Sequence, residues 1–161
     1  MTIALVYSLP MRVLLFLLLC QVAIAQTNNS RRLPPPGIPI PAEDRSALEE
    51  SLRQLQEELS ALANKSLSAR DLLLLPDAQV YEKAVRYALE HNEFYRPEQF
   101  QTASQLLEEG LRRTRALDKN AATWSAETGL LVRGYKSKID QSVQPYGLVV
   151  PEGYSPFDGK R

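Results

Sequence analysis

The pattern of hydrophobic and polar positions predicts three amphipathic helices. In the first, from about Ala42 to Asn64, leucines recur at spacings of three and four residues, which places them on one helix face. The second is predicted from Pro76 or Asp77 to His91, and the third begins near Pro97. Proline at a first helical position and acids in a first turn suit such starts. The predicted apolar stripes are Leu48, Leu52, Leu55, Leu59 and Leu62; Val80, Ala84, Val85, Ala88 and Leu89; and Phe100, Ala103, Leu107, Leu111 and Leu117.

Near the end of the chain the pattern changes to alternation, and residues 129–151 are predicted to form a β-hairpin. Both faces of the two strands are partly apolar, which is typical of a sheet that is covered on both sides. Pro145 has no N–H to donate to a ladder, so the second strand should be an edge strand there or carry a bulge. The apolar positions are Leu131, Tyr135 and Ile139 against Leu130 and Val132 in the first strand, and Tyr146, Leu148 and Val150 against Val143 and Val149 in the second.

The remaining segments complete the predicted organisation. Residues 64–70 break the helical pattern, and the leucines from Leu72 to Leu75, directly before Pro76, are expected to be buried and extended. Residues 119–128 are predicted to form a polar loop, and residues 152–161 a turn-rich connector to another strand. The chain is therefore predicted to be mainly α with a C-terminal β-hairpin: a helical region over residues 43–120, then two antiparallel strands.

The first 42 residues have the composition of a delivery signal and a linker. Arg12, the apolar run that follows it, and Ala23-Ile-Ala25 match the parts of a cleavable signal peptide over residues 1–25. The run is too short to span a membrane comfortably, and Leu19 before Cys20 does not suit a lipoprotein signal. Residues 26–42 hold five of the chain's 11 prolines and read as an extended spacer. We therefore expect export, periplasmic or extracellular, with cleavage near Ala25 and no stable membrane anchor afterwards.

Composition limits the function classes. The 161 residues suffice for one modest domain, and 19 basic residues balance 19 acidic ones, so no charge excess points to nucleic acid. Cys20 is the only cysteine and would leave with the signal peptide, so the mature chain would have no disulfide, thiol nucleophile or cysteine-bound metal.

Candidate chemistry along the chain is sparse. The sequence has no nucleophile elbow, phosphate-binding loop, dinucleotide glycine signature or metal-binding histidine pair. The single histidine, His91, lies where the second helix should end, which suits a capping residue better than a catalytic base. We therefore predict no catalytic, cofactor-binding or metal-binding residue in this chain. Three sets of residues are each assigned a structural role: the acidic pairs Glu49-Glu50, Glu57-Glu58 and Glu108-Glu109 and the basic set Arg112, Arg113, Arg115 and Lys119 as solvated charges, and the aromatic residues Tyr81, Tyr87, Phe94, Tyr95 and Phe100 as packing at a helix corner.

Two stretches, residues 74–94 and 132–151, together resemble the amino-terminal region of large exported bacterial serine hydrolases of the prolyl oligopeptidase-like α/β-hydrolase class. The first reads Leu-Leu-Pro-Asp-Ala-Gln-Val-Tyr from Leu74, and the second reads Val-Arg-Gly-Tyr-Lys-Ser-Lys-Ile from Val132. The resemblance implies a helical segment followed by a hairpin that opens the hydrolase sheet. It also implies that the nucleophile, acid and histidine of the class would follow Arg161, so the chain reads as a truncated product, a fragment or a remnant.

Two hypotheses follow. In the first, the chain is the non-catalytic amino-terminal portion of such a hydrolase, inactive alone, whose partner at the hairpin edge is the missing catalytic domain or another protein. In the second, it is a free-standing exported helical module that binds another protein or an envelope component through the apolar stripe of the first helix or through the aromatic corner.

Overall fold

In the computed structural model, which describes residues 35–154, four α-helices precede a β-hairpin. The predicted mainly α chain with a C-terminal hairpin is confirmed. The predicted signal peptide, Cys20, residues 26–34 of the predicted linker and residues 155–161 of the predicted connector lie outside the described residues. The elements are α1 (Ala42–Ala63), α2 (Ala69–Leu74), α3 (Pro76–Glu90), α4 (Glu98–Asp118), a short 3-10 helix (Thr123–Ala126), β1 (Gly129–Lys136) and β2 (Val143–Val150).

The core lies between α1, α3 and α4, because each presents an apolar stripe to the other two. All five predicted leucines of α1 are buried, and Leu55 is fully so. Gly110 lies at the contact between α1 and α4, where an added Cβ atom would lie 2.7 Å from a methyl group of Leu55. Glycine at this position therefore lets α4 pack directly against the leucine stripe, so the amphipathic stripe of α1 serves the chain's own core.

The prediction of a buried, extended segment before Pro76 is wrong, because those residues form α2. Ser68 caps this helix: its Oγ accepts a hydrogen bond from the N–H of Asp71 at 3.1 Å. A serine followed three residues later by an acid is a helix-start signal that outweighs the extended reading of an apolar run. Of the four leucines, Leu72 and Leu73 are exposed and only Leu74 is buried, so they do not act as one buried segment.

The hairpin has a continuous antiparallel register from Gly129 opposite Val150 to Lys136 opposite Val143. Of the two alternatives for Pro145, the edge strand is right, because it lies directly opposite Gly134 with no bulge between them. Ile139 does not belong to the first strand as predicted. It lies in the connecting turn and is 97% exposed. In that turn, hydrogen bonds from the hydroxyl groups of Ser137 and Ser142 lower the pKa of the neighbouring Asp140 to about 2.

The end of the predicted linker packs on the helices. The N–H of Ile38 donates to the carbonyl oxygen of Phe94 at 2.6 Å, in the connection between α3 and α4. Ile38 and Ile40 also pack against the hydrophobic core. These contacts hold the segment that leads directly into α1 against the connection between α3 and α4. Among the helices described here, none has the length and apolar character needed to cross a membrane.

Candidate functional site

The hairpin is attached to the helices through the carboxylate of Asp77, which is only 1% exposed. Asp77 follows Pro76 in the first turn of α3, where the helix dipole favours a negative charge. One carboxylate oxygen accepts the N–H of Gly134 at 2.6 Å. The other accepts Nε of Arg133 at 2.8 Å and the indole Nε1 of Trp124 at 3.0 Å. A single side chain therefore joins α3, the 3-10 helix and β1.

Arg113, in the C-terminal third of α4, forms the second half of this arrangement and is itself buried. Its Nη1 donates to the carbonyl oxygen of Val132 at 2.8 Å and, at 3.3 Å, to that of Asp77. Its Nε donates to Glu109 at 2.7 Å, one helical turn away. The side chains of Asp77, Glu109, Arg113, Trp124 and Arg133 are referred to below as the Asp77 cluster.

Aromatic rings enclose the guanidinium group of Arg113. Its Cζ lies 4.9 Å from the ring centre of Tyr81 and 5.4 Å from that of Trp124. Such cation–π contacts gain strength where water is excluded. Burial raises the pKa of the Tyr81 phenol, so this ring stays neutral beside the cation at ordinary pH. In the described residues every buried side-chain nitrogen and oxygen has a hydrogen-bond partner, so the cluster contains no buried polar atom that is left unpaired.

The position of Gly134 shows how closely the hairpin approaches α3. A methyl group there would overlap the backbone carbonyl of Pro76 and lie 2.9 Å from Cγ1 of Val80. Glycine is needed because only its missing side chain lets the N–H reach the Asp77 carboxylate. Sequence reasoning did not single out this residue.

Two of the predicted charge assignments are corrected by this geometry. Arg113 is not part of a solvated basic face, because it points into the interior between α4 and β1. Glu109 is not only a surface charge, since it binds both Arg112 and Arg113. The other two arginines of the basic set are exposed and paired: Arg112 with Glu109, and Arg115 with Glu58 of α1 at 2.7 Å. An anion site at this helix end is therefore disfavoured by the acids already in place.

Acid is expected to weaken the cluster through Glu109. Burial raises the pKa of Glu109, but hydrogen bonds from Arg112 and Arg113 outweigh this effect and hold the pKa below its usual 4.5. The unfolded chain therefore takes up this proton first, so the stabilisation is present above about pH 4.5 and is lost as the pH falls through the folded-state pKa. Urea unfolding measured between about pH 6 and about pH 3 should show less acid dependence in Glu109→Gln than in the wild type.

The matched control for this measurement is Glu108→Gln, which removes a carboxylate from the exposed neighbour in the same helix turn. This variant should follow the wild-type acid dependence more closely than Glu109→Gln. Equal behaviour of the two variants would show that the pairing of Glu109 with the arginines does not contribute to stability.

The Asp77 cluster has the properties of a structural centre rather than a reaction centre. The Asp77 carboxylate accepts three hydrogen bonds and has almost no contact with solvent, so a substrate has little access to it. His91 lies elsewhere: it is exposed at the end of α3, with its ring 5.8 Å from that of Tyr87. Within residues 35–154 no group of acidic, histidine or cysteine side chains is arranged to hold a metal ion.

The aromatic residues of the predicted corner separate into different environments. Phe94 is buried and its ring centre lies 5.2 Å from that of Phe100, in tilted packing. Tyr81 belongs with Arg113, whereas Tyr87 is partly exposed, with the Arg86 guanidinium 4.5 Å from its ring centre. The aromatic packing assigned to this corner is present only for the two phenylalanines.

Sequence reasoning missed Asp77, Arg113 and Trp124 as members of one site. Asp77 was assigned to a helix start and Trp124 to a polar loop, although the tryptophan is fully buried in the 3-10 helix. One signal was present: Asp77 lies in one of the two stretches that carry the resemblance, and Arg133 and Gly134 lie in the other.

In comparisons with protein families, curated proteins and solved structures, nothing matched this chain.

Proposed function

We propose that this chain is the non-catalytic amino-terminal portion of an exported α/β-hydrolase of the prolyl oligopeptidase-like class, inactive alone. In this proposal the helices form a supporting unit, and the hairpin supplies the first two strands of the hydrolase sheet. The observation that carries the proposal is the hairpin itself, which is held firmly on one side and exposes apolar residues on both faces.

The exposed residues are numerous for a two-stranded sheet. Leu130 and Val149 lie opposite each other on one face, and they are 78% and 71% exposed. Tyr146 and Leu148 are exposed on the other face. A two-stranded hairpin of this kind is marginally stable in water, and apolar residues on both faces suit strands that are covered on both sides. The exposure therefore supports a role as part of a larger sheet.

The resemblance to the hydrolase class adds support from a different direction. Residues 74–94 include the start of α3, and residues 132–151 cover most of the hairpin. The two stretches contact each other through Asp77, Arg133 and Gly134. A shared structural requirement, the attachment of the hairpin to α3, would explain why both stretches resemble one class of proteins.

The test of this proposal begins with the genomic DNA beyond the codon for Arg161. We expect an in-frame or frameshifted continuation that encodes a G-x-S-x-G nucleophile elbow. A fluorophosphonate probe for active serine hydrolases should label the product of that longer reading frame and leave the present chain unlabelled. Unrelated sequence after Arg161 would contradict the proposal. So would ester hydrolysis by the purified chain that is lost in His91→Ala.

The second candidate function is a free-standing exported interaction module. It is favoured by the hydrophobic core that the helices form among themselves. It is also favoured because every buried polar side-chain atom of the described residues is hydrogen-bonded. The burial of the leucine stripe of α1 weighs against one of its two predicted binding surfaces and leaves the aromatic corner as the better candidate. In this case the purified chain would be monodisperse and would unfold cooperatively without any continuation in the gene.

A further inference from the structure

The two edges of the hairpin differ in their accessibility. On β1, the N–H of Gly134 donates to Asp77 and the carbonyl of Val132 accepts from Arg113. Backbone groups at these positions therefore point away from β2, and α3 and α4 already occupy that edge. Addition of another strand to β1 would require the Asp77 cluster to separate.

The outer edge of β2 is open over part of its length. In an antiparallel pair the outward and inward backbone groups alternate, so the cross-strand partners of Gly134 and Val132, namely Pro145 and Gly147, point outward, followed by Val149. The carbonyl of Val143 accepts from Lys83 at 2.7 Å. From Pro145 to Val149, no hydrogen bond to the outward groups is present within residues 35–154. The open edge thus offers two N–H groups, at Gly147 and Val149.

The charge pattern indicates what this edge can accept. Natural edge strands usually carry lysines, prolines, inward charges or bulges that prevent pairing, and of these β2 has only Pro145, at one end of the open edge. From Val143 to Val150 there is no charged residue, and the register has no bulge. The charges of the hairpin strands, Arg133 and Lys136, are both in β1. An uncharged strand can therefore lie beside β2 without facing a charge on that strand.

We infer that the outer edge of β2, from Pro145 to Val149, binds an uncharged, apolar strand of the catalytic portion that the proposed hydrolase would have. The inference rests on the proposed function, and it assigns the partner strand to the hydrolase sheet. Hydrogen bonds to Gly147 and Val149 provide the attachment, and Pro145 limits its length because it has no N–H. The added strand extends the faces that contain Leu148 and Val149, so its side chains lie beside these two exposed residues.

The direct test uses the purified chain, labelled with nitrogen-15, and a capped, uncharged hexapeptide of alternating threonine and valine as the strand probe. Amide hydrogen exchange should slow by about fivefold or more at Gly147 and Val149 when the probe is saturating. The outward amides of Leu130 and Val132 in β1 should keep their exchange rates. The same peptide with a central proline should have no effect.

Two variants provide a matched comparison of the edges. Val149→Lys and Leu130→Lys place the same charge at directly opposed, exposed positions on one face. If β2 is the binding edge, Val149→Lys should weaken binding of the probe at least about tenfold, and Leu130→Lys should weaken it less. Both variants should retain the wild-type circular dichroism, because neither side chain is buried.

Three outcomes of the probe experiments would overturn the inference: protection at the β1 amides instead of Gly147 and Val149, no binding up to millimolar probe, or equal effects of the two lysine variants. A stable homodimer at micromolar concentration in sedimentation velocity would also overturn it, since a second copy would then occupy the edge. Strand binding without a hydrolase continuation in the gene would contradict only the proposed function. A hydrolase continuation without strand binding would contradict only the edge assignment.

Discussion

Replacement of Asp77 with alanine is expected to lower the free energy of unfolding by about 3–5 kcal/mol, the range for removing one partner of a buried ion pair. The substitution leaves Arg133, only 15% exposed, without its counter-charge. It also leaves the indole N–H of Trp124 and the backbone N–H of Gly134 without an acceptor. Urea unfolding followed by circular dichroism and by the fluorescence of Trp124, the only tryptophan, measures the loss.

Two further variants define the cause of that loss. Asp77→Asn keeps the size and one acceptor oxygen, so it should be less destabilising than Asp77→Ala. Asp118→Ala removes an exposed aspartate that pairs with Lys65 on the surface, and it should cost no more than about 1 kcal/mol. If Asp77→Ala is no more harmful than Asp118→Ala, the Asp77 cluster does not hold the hairpin in place.

Introducing alanine at Gly134 is the second large change, with an expected loss of about 1–3 kcal/mol, typical of overpacking. The added methyl group would overlap the backbone carbonyl of Pro76, which cannot move without displacing the start of α3. The shift would also lengthen the hydrogen bond from the Gly134 N–H to Asp77. Thermal unfolding should show a lower midpoint, accompanied by a change in Trp124 fluorescence in the folded state.

Gly147 supplies the matched control within the same hairpin. It lies in β2, and among the described residues no heavy atom would come within 4 Å of an added Cβ. Gly147→Ala should therefore change stability by no more than about 0.5 kcal/mol. Similar losses in the two variants would mean that alanine is unfavourable in the hairpin generally, and that close packing against Pro76 is not the reason for Gly134.

The helices were predictable because their signals are local. The spacing of leucines in α1 depends only on the 3.6-residue period, and all of them are buried as predicted. The error at α2 also has a local cause: the apolar run was given more weight than the cap formed by Ser68 and Asp71. A reading that considered the cap first would have placed a helix there.

The Asp77 cluster was not predictable in the same way. Its contacts join residues far apart in the sequence: Asp77 binds Trp124 47 residues away and Arg133 56 residues away. Neither periodicity nor a short motif reports such pairings. From the sequence alone, Asp77 after a proline has the pattern of an ordinary helix start, and Arg113 late in a helix has the pattern of an ordinary partner for the helix dipole. Their role becomes visible only in the structure, where both bind β1.

The wide sequence separation of these contacts also implies an order of assembly. The contacts among α1, α3 and α4 are complete once the chain reaches Asp118, whereas β1 begins only at Gly129. A hairpin alone is marginally stable. It should therefore become stable only when packed helices already hold Asp77 and Arg113 in position to bind it. During synthesis we therefore expect the helical core to fold first, and the two strands to pair and pack against it afterwards.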